Sequence, residues 1–310
     1  HAVTAINDTS ITYDKRGNRI GDPHATYRYD ALNRLIEVQT KTGSYHYTYD
    51  AFNRRLSKQT DATTEYYLWA QENEIGALDE SKNITQLRIL AEGLGAEIGA
   101  SIALELYGTT YIPLHDRQGS ITTLLDINGA PVEHYSYDAF GIETTPENPT
   151  SPWRFSSKRI DPETGFVYFG QRYYDPCLGK WLTQDPLGLS AGPNLYAYVN
   201  NCPMTNIDLY GLYALDEAGD MCFDGRDVGR SKDMSISRND HDRSFTHRTT
   251  SYTNPDFSKH PIYSTFWDDK IYTPMGPSAP SSAEDSWGKY IDYGLDSLDN
   301  ALLAADAGCL

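Results

Sequence analysis

Polar and apolar positions alternate with a period of two through most of residues 1–145, the period of a strand with one buried face. The clearest stretch is Tyr45-His46-Tyr47-Thr48-Tyr49, where an aromatic ring falls on every second residue. Asp50-Ala51-Phe52-Asn53 then supplies turn residues, and Arg55-Leu56-Ser57-Lys58-Gln59 alternates again. The same strand–turn–strand unit occurs twice before. Thr12-Tyr13-Asp14 leads into Arg16-Gly17-Asn18-Arg19, and Tyr27-Arg28-Tyr29-Asp30 leads into Ala31-Leu32-Asn33-Arg34-Leu35. The aspartates step by 16 and then 20 residues, so the repeat tolerates turns of different length. Farther on, 64–69, 84–90, 111–116, 120–125 and 132–137 read as strands, with Gln118-Gly119 and Asn128-Gly129 as turns. Between Gly93 and Leu106, alanines that favour helix compete with Gly93, Gly95 and Gly99, and strands are the expectation. The series closes on Tyr137-Asp138-Ala139-Phe140-Gly141. This pattern predicts an all-β fold, with residues 1–145 forming a ladder of hairpins in a long antiparallel sheet. In each unit the aspartate is read as a turn residue bonded to backbone and the tyrosine as a strand-face ring, neither with a catalytic role.

Composition sharpens the picture. Tyrosine, at 24 copies against 9 Phe and 5 Trp, suits half-buried strand faces where the ring packs and the hydroxyl reaches a partner. A formal charge of −17 argues against a nucleic-acid or anionic-membrane surface for the chain as a whole. The chain has no long apolar run, so no membrane span is expected. Its first residues, His1 to Ile6, have neither a starting Met nor a signal-peptide pattern, and the chain reads as a piece of something longer. Cys177, Cys202, Cys222 and Cys309 are far apart and form no C-x-x-C pair, so neither a zinc site nor a disulfide framework is indicated.

The chemistry concentrates between Trp181 and Tyr213. Asp185-Pro186-Leu187-Gly188-Leu189 returns as Asp208-Leu209-Tyr210-Gly211-Leu212, with 18 residues between the blocks. Each block sets a carboxylate three residues before a glycine, Gly188 or Gly211, that can turn the chain. Brought together, Asp185 and Asp208 could act as a pair, one ionised to activate water and one protonated to polarise a carbonyl. The plainer reading is that both are turn aspartates. Composition changes just past Leu212, which singles out the Leu212–Tyr213 bond. Residues 213–310 carry nine Lys+Arg against seventeen Asp+Glu and lose the strand alternation. Pro274, Pro277 and Pro280 read as an irregular loop, and Glu284 to Ala307 as an amphipathic helix. Asp240-His241-Asp242 with His247 and His260 has metal-ligand chemistry, but a solvated acidic loop is the preferred reading; no metal and no cofactor are expected.

The Tyr-Asp units followed by Asn/Gly-Arg resemble the YD repeats of the Rhs family of bacterial polymorphic toxins. His115-Asp116-Arg117-Gln118-Gly119-Ser120, the segment from Arg154-Phe155 to Asp161-Pro162-Glu163-Thr164-Gly165-Phe166-Val167-Tyr168, Arg172-Tyr173-Tyr174-Asp175-Pro176, and Asn194-Leu195-Tyr196-Ala197-Tyr198 are similar to that family's motifs and follow in its order. The resemblance implies a sheet that spirals into part of a hollow shell, with a core segment at 146–212 and a variable cargo region at 213–310, irregular and partly helical. It implies self-cleavage between Leu212 and Tyr213, with Asp185 and Asp208 as the catalytic pair and Pro186, Gly188 and Gly211 supporting the motif. The implied partners are the N-terminal remainder of the same shell and an immunity protein against the cargo, and the implied setting is a bacterial surface or secreted one. Two positions depart from the family's form: Gln184 stands where an Arg is usual and Leu209 where a Pro is usual, leaving Arg172 or Lys180 to supply the missing cation. The alternative is a non-cleaving structural or adhesion module of the same repeats.

Overall fold

A strand unit closed by aspartate turns needs only its sequence neighbour to pair with, and the architecture follows from that. The computed structural model describes residues 2, 4–6, 9–91, 97–144, 148–212 and 214–215. Thirteen strands, from Thr12–Tyr13 to Pro131–His134, lie in one sheet in strict sequence order, each antiparallel to the next. The two end strands are not paired with one another, so the sheet is open.

The turns share one mechanism. Asp50 Oδ1 accepts the amides of Phe52 and Arg54 at 2.8 and 2.9 Å. The same i+2 and i+4 pattern recurs at Asp14, Asp30, Asp116, Asp126 and Asp138. At Asp30 and Asp50 the second oxygen also recruits an arginine that stitches one hairpin to the next. Arg34 Nε binds Asp30 at 2.6 Å while its Nη1 donates to the Asp50 carbonyl at 3.0 Å. Arg54 repeats this between Asp50 and the Gln71 carbonyl.

One face of the sheet buries Tyr27, Leu35, Val38, Tyr47, Tyr49, Tyr67 and Trp69 against Phe166, Tyr168, Tyr173 and Leu182 of the segment that follows. That segment is a four-stranded sheet, Arg159–Asp161, Phe166–Tyr168, Tyr173–Asp175 and Lys180–Trp181. Its other side packs Phe155, Phe169, Tyr174 and Trp181 on Tyr198, Val199 and Ala214. Buried ion pairs pin the two sheets together: Arg19–Asp175 at 2.8 Å, Arg55–Asp161 at 2.6 Å and Arg159–Glu74 at 2.6 Å. Such pairs add little net stability over an apolar contact, but a shifted register would strand every charge.

The sequence pattern misplaces some elements. Asn73–Leu78 is a strand with no alternation to announce it, because Glu74 to Leu78 are all buried. The single strand expected at 132–137 is broken at Tyr135. Pro131–His134 pairs into the large sheet, whereas Ser136–Tyr137 pairs with Glu143–Thr144. Tyr135 is buried at the break, its hydroxyl held by Glu133 and by the Ser151 amide. Strand structure also continues past Leu212, where Ala214–Leu215 pairs with Ile207–Asp208. The helix expected over Glu284 to Ala307 lies outside the described residues.

Candidate functional site

The hairpin 207–215 brings the second aspartate block onto the core segment. Asp208 is buried, and its Oδ1 accepts the amides of Tyr210, Gly211 and Leu212 at 3.2, 2.7 and 3.1 Å. Gly211 makes this possible, with φ of +78°; a Cβ there would come within 3.2 Å of the Arg172 backbone nitrogen. The first block is built on a smaller turn. Asp185 Oδ1 accepts the Leu187 amide at 2.8 Å, and its carbonyl accepts the amide of Gly188, φ +60°, at 2.9 Å. Pro186 is exposed at the head of that turn.

Both aspartates therefore make the turns that the plainer reading requires, through one oxygen each. The remaining oxygens meet at Arg172. Its Nη2 is 2.7 Å from Asp185 Oδ2 and 3.9 Å from Asp208 Oδ2, so one guanidinium faces both carboxylates. Arg172 lies over the Trp181 ring at 4.2 Å, and its Nε donates to the Gly211 carbonyl at 2.5 Å. Arg172 is thus the cation opposite the pair. Lys180 bonds to Asn201 Oδ1 at 3.2 Å instead. Gln184 is exposed and lies against Gly17 and the Tyr196 hydroxyl. Leu212 is buried beside this arrangement; Tyr213 lies outside the described residues.

Burial dominates the electrostatics. It pushes Asp208 up from the usual 3.8 to about 6, against the pull of Arg172 and of the Leu212 and Gly211 amides. Burial also raises Asp185, opposed by Arg172 and the Leu187 amide. Arg172 itself is lowered by burial, against Asp185 and Asp208. Asp185 has the close cation and Asp208 the greater burial, so of the two raised carboxyls Asp208 is pushed further.

Two further groups touch the turn, and neither was read from the sequence. The Gln171 amide donates to the Tyr210 carbonyl at 3.0 Å. Lys158 Nζ, buried, donates to the Leu209 carbonyl at 2.5 Å. The signal available for Lys158 was its place between Ser157 and Arg159 in a motif-bearing segment; nothing in the sequence links it to Leu209.

Comparison with known proteins agrees with this architecture. A family model described as Teneurin YD-shell matches residues 1–204. The tRNA nuclease WapA of Bacillus subtilis is 32% identical over 239 residues, covering 72% of this chain and 10% of that protein. The toxin protein Tse5 of Pseudomonas aeruginosa is 48% identical over 61 residues, covering 20% of this chain and 5% of that protein. The crystal structure of TcdB2-TccC3 shares the fold, with a TM-score of 0.51 at 23% identity over 64% of this chain and 11% of that one. The chain spans about a tenth of the length of WapA. Among the described residues no helix is long and apolar enough to cross a membrane.

Proposed function

Because the chain belongs to the Teneurin YD-shell family, we propose that it is the closing segment of a toxin shell, which cuts itself between Leu212 and Tyr213 and so frees the region from 213 onward. The observation that carries this reading is the single guanidinium of Arg172 facing two buried carboxylates from the two repeated blocks. Asp185, next to the cation, is the base that takes a proton from water. Asp208, held near pH 6, is the acid that donates from Oδ2 to the Leu212 carbonyl oxygen. The water oxygen bonds to the Leu212 carbonyl carbon, the C–N bond breaks, and the Tyr213 nitrogen leaves as an amine with the proton that Asp185 took from water, while the collapsing hydroxyl returns the other proton to Asp208. One water is consumed, and a carboxyl and an amine result. Because the substrate is part of the same hairpin, orientation supplies much of the rate. The released region would act as cargo, with an immunity protein as its partner in a bacterial secreted or surface setting.

One observation favours the non-cleaving reading: each aspartate already has a structural task through its Oδ1. Intact-mass measurement separates the two. Asp185→Asn and Asp208→Asn keep a side-chain oxygen for the turn but lose acid–base chemistry, so both should stay whole while the parent chain yields a fragment beginning at Tyr213. A parent chain that stays whole, or cutting that persists in Asp185→Asn, would defeat the cleavage reading.

A further inference from the structure

We propose that Lys158 is a positioning residue for the cut, its ammonium clamping the Leu209 carbonyl so that the turn 208–212 presents Leu212 to the aspartate pair. This rests on the cleavage reading and adds a residue to it. The two blocks differ at their second position: Pro186 in the first, Leu209 in the second. Proline fixes its own φ, whereas leucine leaves the backbone free, so the second turn needs restraint from outside. The structure supplies it carbonyl by carbonyl. Leu209 accepts from Lys158 Nζ at 2.5 Å, Tyr210 from the Gln171 amide at 3.0 Å and Gly211 from Arg172 Nε at 2.5 Å. Of these three donors only Lys158 reaches the position where proline is missing.

Lys158 is an expensive choice for a merely structural contact. Its ammonium is buried and paired to Glu97 Oε1 at 2.8 Å, while Glu97 Oε2 has no hydrogen-bond partner among the described residues. The rings of Phe169 and Tyr210 each lie 5.5 Å from Nζ. Arg88, 3.7 Å from the same Glu97 oxygen, adds a like charge to the neighbourhood. Burial lowers the lysine from its ordinary value, against the pull of Glu97 and Asp208. An apolar side chain would fill this space at lower cost, but it could not hold a carbonyl.

The test compares cutting rate with thermal stability in the full chain. Lys158→Met alone leaves Glu97 without its lysine and is expected to lower the melting temperature. The double variant Lys158→Met, Glu97→Gln removes that orphaned charge, and Arg88, which loses Glu97 as a counter-charge, keeps its bonds to the Glu74 and Ser157 carbonyls. Its expected behaviour is a melting temperature back near the parent's with cutting about a hundredfold slower, the effect of a small misplacement of the scissile group. Lys158→Arg, which keeps a cationic donor, should recover part of the lost rate. A double variant that cuts at the parent rate overturns the proposal. So does one that fails to fold, since Lys158 would then act through the core. The same holds if Lys158→Arg recovers nothing. Failure of the cleavage reading itself looks different: the parent chain stays whole, or Asp185→Asn still cuts.

Discussion

Asp208→Asn should stabilise the chain at neutral pH, the opposite of what removing a buried aspartate that accepts three backbone amides usually does. In the folded chain the carboxyl titrates near 6, against 3.8 when free, because burial outweighs the attraction of Arg172. Between those values the folded state holds a proton that the unfolded chain has released. Stability therefore falls as pH rises from about 4 to about 6 and is flat above. Each pH unit of that gap is worth about 1.4 kcal/mol, so the ionised carboxylate costs up to about 3 kcal/mol at neutral pH. Asparagine avoids this cost, and its Oδ1 can still accept from the Tyr210, Gly211 and Leu212 amides as Asp208 does. The comparison is best made in an Asp185→Asn background, where cutting does not intrude; loss of the Asp185 charge trims the effect, since that charge is one of the groups raising Asp208. Denaturant unfolding at about pH 4 and about pH 8 is the assay. The Asp208→Asn chain should gain stability at the higher pH and lose that advantage at the lower one. No difference between the two pH values, or a less stable variant at about pH 8, would refute the reasoning.

The cut itself should slow as pH rises through about 6, where Asp208 loses the proton it must donate, and a pH–rate series by intact mass would show it. Gln184→Arg should not hasten cutting, because Gln184 lies against Gly17 and Tyr196 while Arg172 already occupies the cationic position; rates side by side decide this. Arg55→Met should cost about 3–5 kcal/mol in denaturant unfolding, since it leaves Asp161 buried without its 2.6 Å partner. Asp50→Ala should cost about 1–2 kcal/mol by the same measure, through two lost amide bonds and the Arg54 pair, whereas Asp50→Asn should recover most of the amide part.

The sheet was legible because its information is local. Strands Ser44–Tyr49 and Arg55–Gln59 carry their own alternation, and the aspartate turns between units close within four residues. Where both faces are covered the alternation disappears, as in Asn73–Leu78, and the strand becomes invisible to a period-two reading. A break at Tyr135 is similarly hidden. What bends the chain there is a hydroxyl held by Ser151, sixteen residues away, which no window over 132–137 contains. The ion pairs that join the two sheets span still greater separations, such as Arg19 with Asp175. Charge alone gives no sign of such a partner.

At the candidate site the sequence offers two readings of each aspartate, and the geometry accommodates both. A D-x-x-G block reads either as a turn or as half of a catalytic pair, and one side chain was asked to be one or the other. A carboxylate has two oxygens. In Asp208, Oδ1 gathers three amides and makes the turn, which aims Oδ2 at Arg172; in Asp185, Oδ1 holds the Leu187 amide and Oδ2 meets the same guanidinium. The turn thus orients the second oxygen toward Arg172 instead of competing for it. It follows that substitutions must be judged oxygen by oxygen. Alanine at 185 or 208 would remove both oxygens and could not tell their tasks apart, while asparagine keeps the amide acceptor and removes only the proposed acid–base chemistry. The cation completing the arrangement, Arg172, comes from a strand-flanking motif rather than from the position before Asp185, so the geometry of the small sheet, and not the local block, decides whether the pair has a counter-charge.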